Sequence, residues 1–260
     1  MDSRPDISIL IPCHNEEDGI ESTVCNLLKK LAPTGISFEI LCVNNTSTDQ
    51  TERVLQQLAE TYEQLWYVNT PPIPGYGIAV RWGLEFFRGK SVVIVMADGS
   101  ETPEDIIAFY RKIEEGFDCA FGTRFAPGAE VVDYPRLKLF LNRLGNKLIA
   151  FVTQVKYDDF TNGFKCYRRE VIDSIKPLFA ENFNLTIEMS ISTVYNKANF
   201  AVIAHSWKNR SVGSSKFKIV KQANMYLLTL AYCWLRARIQ GNSWPKFRQA
   251  LEKAKSPREY

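Results

Sequence analysis

"VVIVMADGSETPED", residues 92–105, sets the fold. Four β-branched residues in succession, Val92 to Val95, make a short apolar run without alternation. That is the pattern of a strand buried on both faces. Asp98 follows at the end of the run. Thr102 and Pro103 then read as the cap and first turn of a helix to about residue 116, with Glu104 and Asp105 at the positive end of its dipole. A doubly buried strand that delivers one carboxylate to its tip and turns at once into a helix belongs to a parallel α/β sheet.

The same alternation extends both ways. Strands are predicted at 7–12, 38–43, 65–69, 91–97 and 118–123. Between them lie helices at 15–31 with Asn15 as cap, at 47–62 with Ser47 or Thr48 near the cap, and from the "PPIPGYG" loop to about Phe87. Beyond residue 125 the pattern gives a basic amphipathic helix at 134–153, a turn at Asn162-Gly163 leading into a strand, a helix at 185–198, a strand at 200–207 and a last helix at 219–239. In a mostly parallel sheet flanked by helices, ligands bind beyond the carboxyl ends of the strands. Those ends carry Pro12 to Glu16, Val43 to Thr46, Ala97 to Glu101 and Gly122 to Arg124.

Charge divides the chain. The net charge is only +3, but residues 205–260 hold 12 Lys and Arg against 2 Glu, which leaves the first 204 residues at −7. A basic tail on an acidic body points to an anionic partner. A domain over 1–218 with a basic amphipathic extension over 219–260 is the expected division. No basic segment leads into a long apolar core at the start, so no secretory leader is expected. Six cysteines without a CxxC pair suit a reducing, cytoplasmic setting, and two histidines argue against a His-rich metal site. No nucleic-acid-binding motif accompanies the basic tail.

Five segments in order resemble glycosyltransferase family 2, which has the GT-A fold, and more closely its dolichol-phosphate mannosyltransferase and polyprenyl-phosphate group. They are "IPCHNEE", "VNNTSTDQT" (against Val-Asp-Asp-Gly-Ser-x-Asp-Gly-Thr), "MADGSETPED" at an Asp-x-Asp strand end, "DDFTNGFKCYRREV" and "RSVGSSKF". The likeness runs from about residue 7 to 217. It implies that Pro12, His14 and Glu16 line a nucleotide pocket, that Val43 and Asn45 approach base and ribose, and that Ala97 and Asp98 meet diphosphate and metal. It further implies that Arg124, Arg210 and Lys216 bind phosphate oxygens, and that Lys138 and Asn142 lie near an acceptor phosphate.

The implied reaction is inverting transfer of a hexose from a nucleotide-diphosphate sugar to a polyprenyl or dolichyl phosphate. Negative charge grows on the departing diphosphate, which calls for Arg, Lys and a divalent ion. Met96 stands where the family has its first Asp, so Mg²⁺ or Mn²⁺ would rest on Asp98 and on Glu101 or Ser100. One or two carboxylates suffice when substrate phosphates complete the shell. A phosphate acceptor is already ionised, with a second pKa near ~6, and needs little help from a base. Asp159 is the candidate for a base or orienting residue, with capping of the following turn as the alternative. Glu188 is a second carboxylate of interest. Asn44 and Asn45 replace two carboxylates, and an amide suits the adjacent donor and acceptor of uracil, so UDP-sugars are favoured over GDP-sugars while both stay open.

"ANMYLLTLAYCWL", residues 223–235, is too short for a membrane span of ~20 residues but suits a helix lying on an anionic membrane at its cytoplasmic face. The protein would then be peripheral, work with a separate membrane subunit, or form a homo-oligomer. Two further readings stay open: a family 2 enzyme with a soluble or glycan hydroxyl acceptor, and an inactive nucleotide-sugar-binding subunit.

Overall fold

The computed structural model describes residues 3–132, 134–208 and 219–240. Its main sheet has seven strands in the order β3-β2-β1-β4-β7-β5-β8. β1 (Ile7–Cys13), β2 (Phe38–Asn44), β3 (Leu65–Asn69) and β4 (Ser91–Ile94) run parallel. β7 (Lys165–Arg168) runs antiparallel between β4 and β5 (Cys119–Thr123), and β8 (Phe200–Ala204) is parallel to β5. A small second sheet pairs β6 (Val131–Val132) with β9 (Trp207–Lys208). The mostly parallel α/β sheet expected from the sequence is the one observed.

Strand alternation explains the layers. Ile7, Ile9 and Ile11 face one core, shared with α1 (Ile20–Leu31), α2 (Thr51–Thr61) and α4 (Pro103–Glu114). Leu10 faces the other, with α3 (Tyr76–Phe86), α6 (Arg169–Ile175) and α7 (Leu185–Tyr195). Val93 and Val95 go to the first core and Val92 and Ile94 to the second, which is why the run at 92–95 is unbroken. Each such side chain, fully buried, contributes about 1.5–3 kcal/mol.

The order of the strands positions the site. From β1 the chain moves outward through β2 and β3, then returns to β4 on the other side of β1. The loops after β1 and β4 therefore diverge and leave a crevice at their carboxyl ends. Because β7 runs the opposite way, it brings the preceding segment, residues 157–164, to the same rim.

Two helix starts differ from expectation. α1 begins at Ile20 with Gly19 as cap, and α2 at Thr51 with Gln50 as cap. Asn15 instead adopts a left-handed φ of 56° and accepts the Thr48 N–H at 2.8 Å. The Asn15 N–H donates to Ser47 Oγ, the Glu16 N–H to Thr51 Oγ1, the Glu17 N–H to Asp49, and the Gln50 N–H to Glu17. Polar side chains that could cap their own helices are used to lace the two loops together. Helix α6 was not foreseen, because Tyr167-Arg168-Arg169 carries the strand directly into it.

α5 (Arg136–Thr153) and α8 (Ile219–Gln240) complete the chain. α8 is seated on the domain through buried Leu230 and Cys233 and through Asn184 Nδ2 donating to Thr229 Oγ1 at 2.9 Å. Arg236 donates to the carbonyls of Ile175, Lys176 and Pro177 at the end of α6. No described helix is long and apolar enough to cross a membrane.

α3 begins so close to residues 180–182 that a Cβ on Gly77 would lie 2.5 Å from the Ala180 carbonyl oxygen. Gly77→Ala is expected to lower stability by about 1–3 kcal/mol in urea unfolding. An unchanged midpoint would show that this approach is not tight.

Candidate active site

One half of the rim, where the family resemblance expects a nucleotide, is built by β1, β2 and the loop after β3. Pro12 and Val43 are buried partners in the β1–β2 register. His14 Nδ1–H donates to the Asn45 carbonyl at 2.7 Å. Asn45 is fully committed: Nδ2 donates to Thr70 Oγ1 and the Ile73 carbonyl, and Oδ1 accepts the Gly75 N–H. It holds the loop after β3 and has little left for a base. Asn44 gives Nδ2 to Asn69 Oδ1 at 2.8 Å, while its own Oδ1 is buried and has no hydrogen-bond partner among the described residues. Thr46 Oγ1 is buried without a partner in the same way, and Thr46 holds a φ of 53°. A β-branched residue in this left-handed region is strained by about 1–2 kcal/mol. It stands where the resembling segment has glycine.

The floor of the crevice is the end of β4. Ala97 is buried and its carbonyl accepts Thr23 Oγ1–H at 2.8 Å. Gly99 turns the chain with a φ of 67°, and the Ser100 N–H donates to Asp98 Oδ1 at 3.1 Å. Glu101 folds back under the loop, where its carboxylate accepts the Met96 N–H at 2.9 Å. The position lacking a carboxylate side chain is thus bonded through its backbone to a carboxylate five residues later. Burial, with help from the charge on Asp98, pushes Glu101 up to about 7. No three His, Cys, Asp or Glu side chains come together as a metal cluster among the described residues. Two carboxylates three residues apart fit an ion that arrives with a diphosphate and takes its remaining ligands from phosphate and water.

The opposite wall centres on Arg124 and Asp159. The Arg124 backbone N–H and Nε both donate to Asp159 Oδ2, at 3.0 and 2.8 Å, and Nη2 donates to Oδ1 at 2.6 Å. Asp159 is 0% exposed and the Arg124 side chain 9%. Burial alone would lower the arginine's pKa, but the carboxylate's charge and hydrogen bonds reverse this and raise it. The two residues expected to serve phosphate and acceptor are spent on each other. Glu188 is likewise committed, accepting the N–H groups of Phe179 and Ala180.

Around this pair lies a buried polar cluster that the sequence did not disclose. Lys165 Nζ donates to the carbonyls of Phe160 and Asn162, and burial pushes it down to about 7. Asn162 Nδ2 donates to the Gly122 carbonyl and to His205 Nε2. His205 is 2% exposed, and burial with the nearby Arg124 charge pushes it down to about 4. The signal was present in "GFKCY", a lysine inside an apolar strand, where only a buried amine with carbonyl partners fits.

α5 joins the site at residues 158–161. Asn142 Nδ2 donates to Thr161 Oγ1 at 2.8 Å, and Arg143 pairs with Asp158 at 3.1 Å. Lys138 lies half-buried, with its amine 5.6 Å from the Tyr134 ring centre. Arg210 and Lys216, with the loop that carries them, lie outside the described residues.

The sequence pattern of Glycosyl transferase family 2 matches residues 8–176. The chain belongs to that family. An uncharacterized glycosyltransferase of Synechocystis sp. is 33% identical over 173 residues, which are 66% of this chain and 53% of that protein. Polyprenol monophosphomannose synthase of Mycolicibacterium smegmatis is 28% identical over 80% of this chain and 79% of its own length. Dolichol-phosphate mannosyltransferase of Pyrococcus furiosus is 26% identical over 82% of this chain and 59% of its own. The chain thus spans little more than half of two of these family 2 relatives. Among solved structures, glucosyl-3-phosphoglycerate synthase from Mycobacterium tuberculosis, in complex with Mn²⁺, UDP and phosphoglyceric acid, has a TM-score of 0.65 at 19% identity, covering 89% of this chain and 79% of that one. That likeness is one of fold, and the sheet is GT-A-like.

Asp159→Asn leaves a buried guanidinium without its counter-charge and is expected to cost about 3–5 kcal/mol in chemical unfolding. A loss below about 1 kcal/mol would mean the pair does not anchor this wall.

His205 gives a pH signature. Unfolded, it takes a proton near ~6.5, whereas in the fold it stays neutral until about 4. Its contribution is complete above about 6.5 and is lost as pH falls towards 4, up to on the order of 3 kcal/mol. Glu101, raised to about 7, acts in the opposite sense over an overlapping range. The difference between wild type and His205→Gln isolates the histidine: their stabilities should converge as pH falls from 6.5 to 4. A gap that stays constant with pH would overturn the assignment.

Proposed function

We infer that the protein transfers a hexose, with inversion, from a nucleotide-diphosphate sugar to a polyprenyl or dolichyl phosphate. The acceptor phosphate oxygen attacks the anomeric carbon, and the bond from that carbon to the diphosphate breaks on the opposite face. The relatives named for polyprenol monophosphomannose and dolichol-phosphate mannose synthesis support the acceptor class. The observation that carries it is the Arg124–Asp159 pair: the central buried carboxylate of the acceptor wall is bound three ways to an arginine and is poorly placed to act as a base. A hydroxyl acceptor needs such a base, whereas an ionised phosphate does not.

In this reading Pro12, His14, Glu16, Val43 and Asn45 shape the nucleoside side, with Asn44 Oδ1 as the open acceptor for an N–H of uracil or guanine. Asp98 and Glu101 would hold Mg²⁺ or Mn²⁺, which when bound offsets the charge growing on the departing diphosphate. Ala97 borders that diphosphate, Arg210 and Lys216 join it through the family resemblance, and Lys138 and Asn142 receive the acceptor phosphate. Arg124 acts one step back, fixing the wall rather than gripping phosphate. A lipid acceptor keeps its chain in a bilayer, so the enzyme works at a membrane surface, and six unpaired cysteines suit the cytoplasmic side.

The test is a donor panel of GDP-mannose, UDP-glucose, UDP-galactose and UDP-N-acetyl sugars with polyprenyl phosphate, read as lipid-linked sugar, beside phosphoglyceric acid as a soluble acceptor. One donor should label the lipid, and Asp98→Asn should lower that rate about 100-fold or more. Transfer to the soluble acceptor alone, or wild-type turnover by the variant, would overturn the assignment.

A further inference from the structure

The turn at residues 159–164 is held from inside by a buried amine. Its side chains reach outward to other elements: Asp159 to Arg124, Thr161 to the amides of Asn142 and Asn146, and Asn162 to the Gly122 carbonyl and His205. The carbonyls of Phe160 and Asn162 meet inside the protein, ahead of β7, which begins at Lys165. Buried carbonyls there need a donor. Lys165 Nζ supplies it, donating to the Phe160 carbonyl at 3.1 Å and to the Asn162 carbonyl. Ser190 Oγ of α7 adds a longer contact to Phe160 at 3.5 Å. Lys165 is 1% exposed, and its amine lies 5.5 and 5.6 Å from the ring centres of Phe121 and Tyr157.

These hydrogen bonds do not explain the charge. A neutral hydroxyl or amide would satisfy two carbonyls without the penalty of burying an ammonium. Nor does a carboxylate call for it. Asp159 is bound by three donors of Arg124, Asp158 is shared by Thr123 and Arg143, and Glu188 accepts the N–H groups of Phe179 and Ala180. Burial keeps Tyr76, Tyr157 and Tyr167 protonated and neutral, and it keeps His205 neutral above about 4. Among the described residues of this cluster, Arg124 and Asp159 therefore cancel, and protonated Lys165 is the surplus charge. A buried surplus charge suits a wall that an anion faces.

We propose that Lys165 is a positioning residue for the acceptor: protonated, it gathers the turn that holds Thr161 and Asn142 in place, and it gives the wall a positive charge that Arg124 does not supply. The role rests on the phosphate acceptor inferred above. An anion on the wall and a proton on Lys165 then stabilise each other, each raising the other's affinity by the same factor. Burial lowers Lys165 to about 7, with the Asp159 charge opposing that shift and the Arg124 charge adding to it. The free wall is thus charged below about 7 and loses its charge as pH rises past it. A bound anion holds the proton to higher pH.

Steady-state kinetics of the full chain test this, with the donor that labels polyprenyl phosphate. Acceptor kcat/KM is compared for wild type and Lys165→Arg, whose charge does not titrate near neutrality. Donor, acceptor and Glu101 ionise in both proteins, so the ratio of wild type to variant reports the lysine. That ratio should fall about tenfold between about pH 6 and about pH 8, while the kcat ratio moves much less, because kcat/KM reports the free enzyme. A flat kcat/KM ratio would overturn the proposal. Lys165→Met should lower acceptor kcat/KM about tenfold or more at about pH 6 and leave the Kd of the nucleoside diphosphate unchanged. Equal losses in both would make the lysine a structural residue only. Where neither variant folds, ¹³C-lysine NMR of the wild type decides: one Cε signal should titrate near 7 instead of near ~10.4. A spectrum in which every lysine titrates above about 9 would sink the idea. If no donor labels polyprenyl phosphate, the acceptor assignment falls. Amide signals of Thr161 and Asn162 that follow the lysine's midpoint would then leave its hold on the turn standing, and signals that ignore it would remove that too.

Discussion

The Arg124–Asp159 ion pair is the constraint on which one whole side of the site hangs. It ties the end of β5 to the segment that precedes β7, and both sit at the same rim only because β7 runs against its neighbours. Thr161, two residues on, takes the amides of Asn142 and Asn146, and Thr186 reaches back to the Thr161 carbonyl. The positions of α5 and α7 relative to the crevice therefore descend from a single buried charge pair. Such a pair is costly to desolvate, so the fold keeps it by bonding both carboxylate oxygens and three donors of one arginine.

The two halves of the rim solve different electrostatic problems. On the β4 side, Asp98 and Glu101 bring two carboxylates to the strand end, and burial with the charge on Asp98 pushes Glu101 up to about 7. On the β5 side, charge is cancelled inside the wall: Arg124 answers Asp159, His205 stays neutral, and Lys165 is relieved of part of its charge by burial. Charge inside this wall is thus balanced between Arg124 and Asp159.

Much of this was legible in the sequence, because the signals were local. The unbroken run at 92–95 reflects burial on both faces, and Thr102 caps α4 by accepting the Asp105 N–H. β3 lies at 65–69 as its pattern indicates. What was not legible depends on pairing across distance. Asn15 and Ser47 are good cap residues in isolation, and nothing nearby in the chain says that they will bond to each other's loops. Asp159 and Arg124 were each recognised as important, but 35 residues separate them, and only the strand order makes them partners. α5 was visible as amphipathic, but which side faced the core could not be read from periodicity alone.

The lacing of the loops after β1 and β2 has a kinetic meaning. Asn15, Glu16, Glu17, Ser47, Thr48, Asp49, Gln50 and Thr51 exchange hydrogen bonds across the gap, and Asn45 fastens the loop after β3 to the same frame. The ordering cost of this corner is met during folding, so a ligand that enters it loses little further to conformational entropy. A corner of that kind cannot remould itself around a misfitting ligand. Ligands that fit and ligands that do not would then arrive at similar rates and differ in how long they stay.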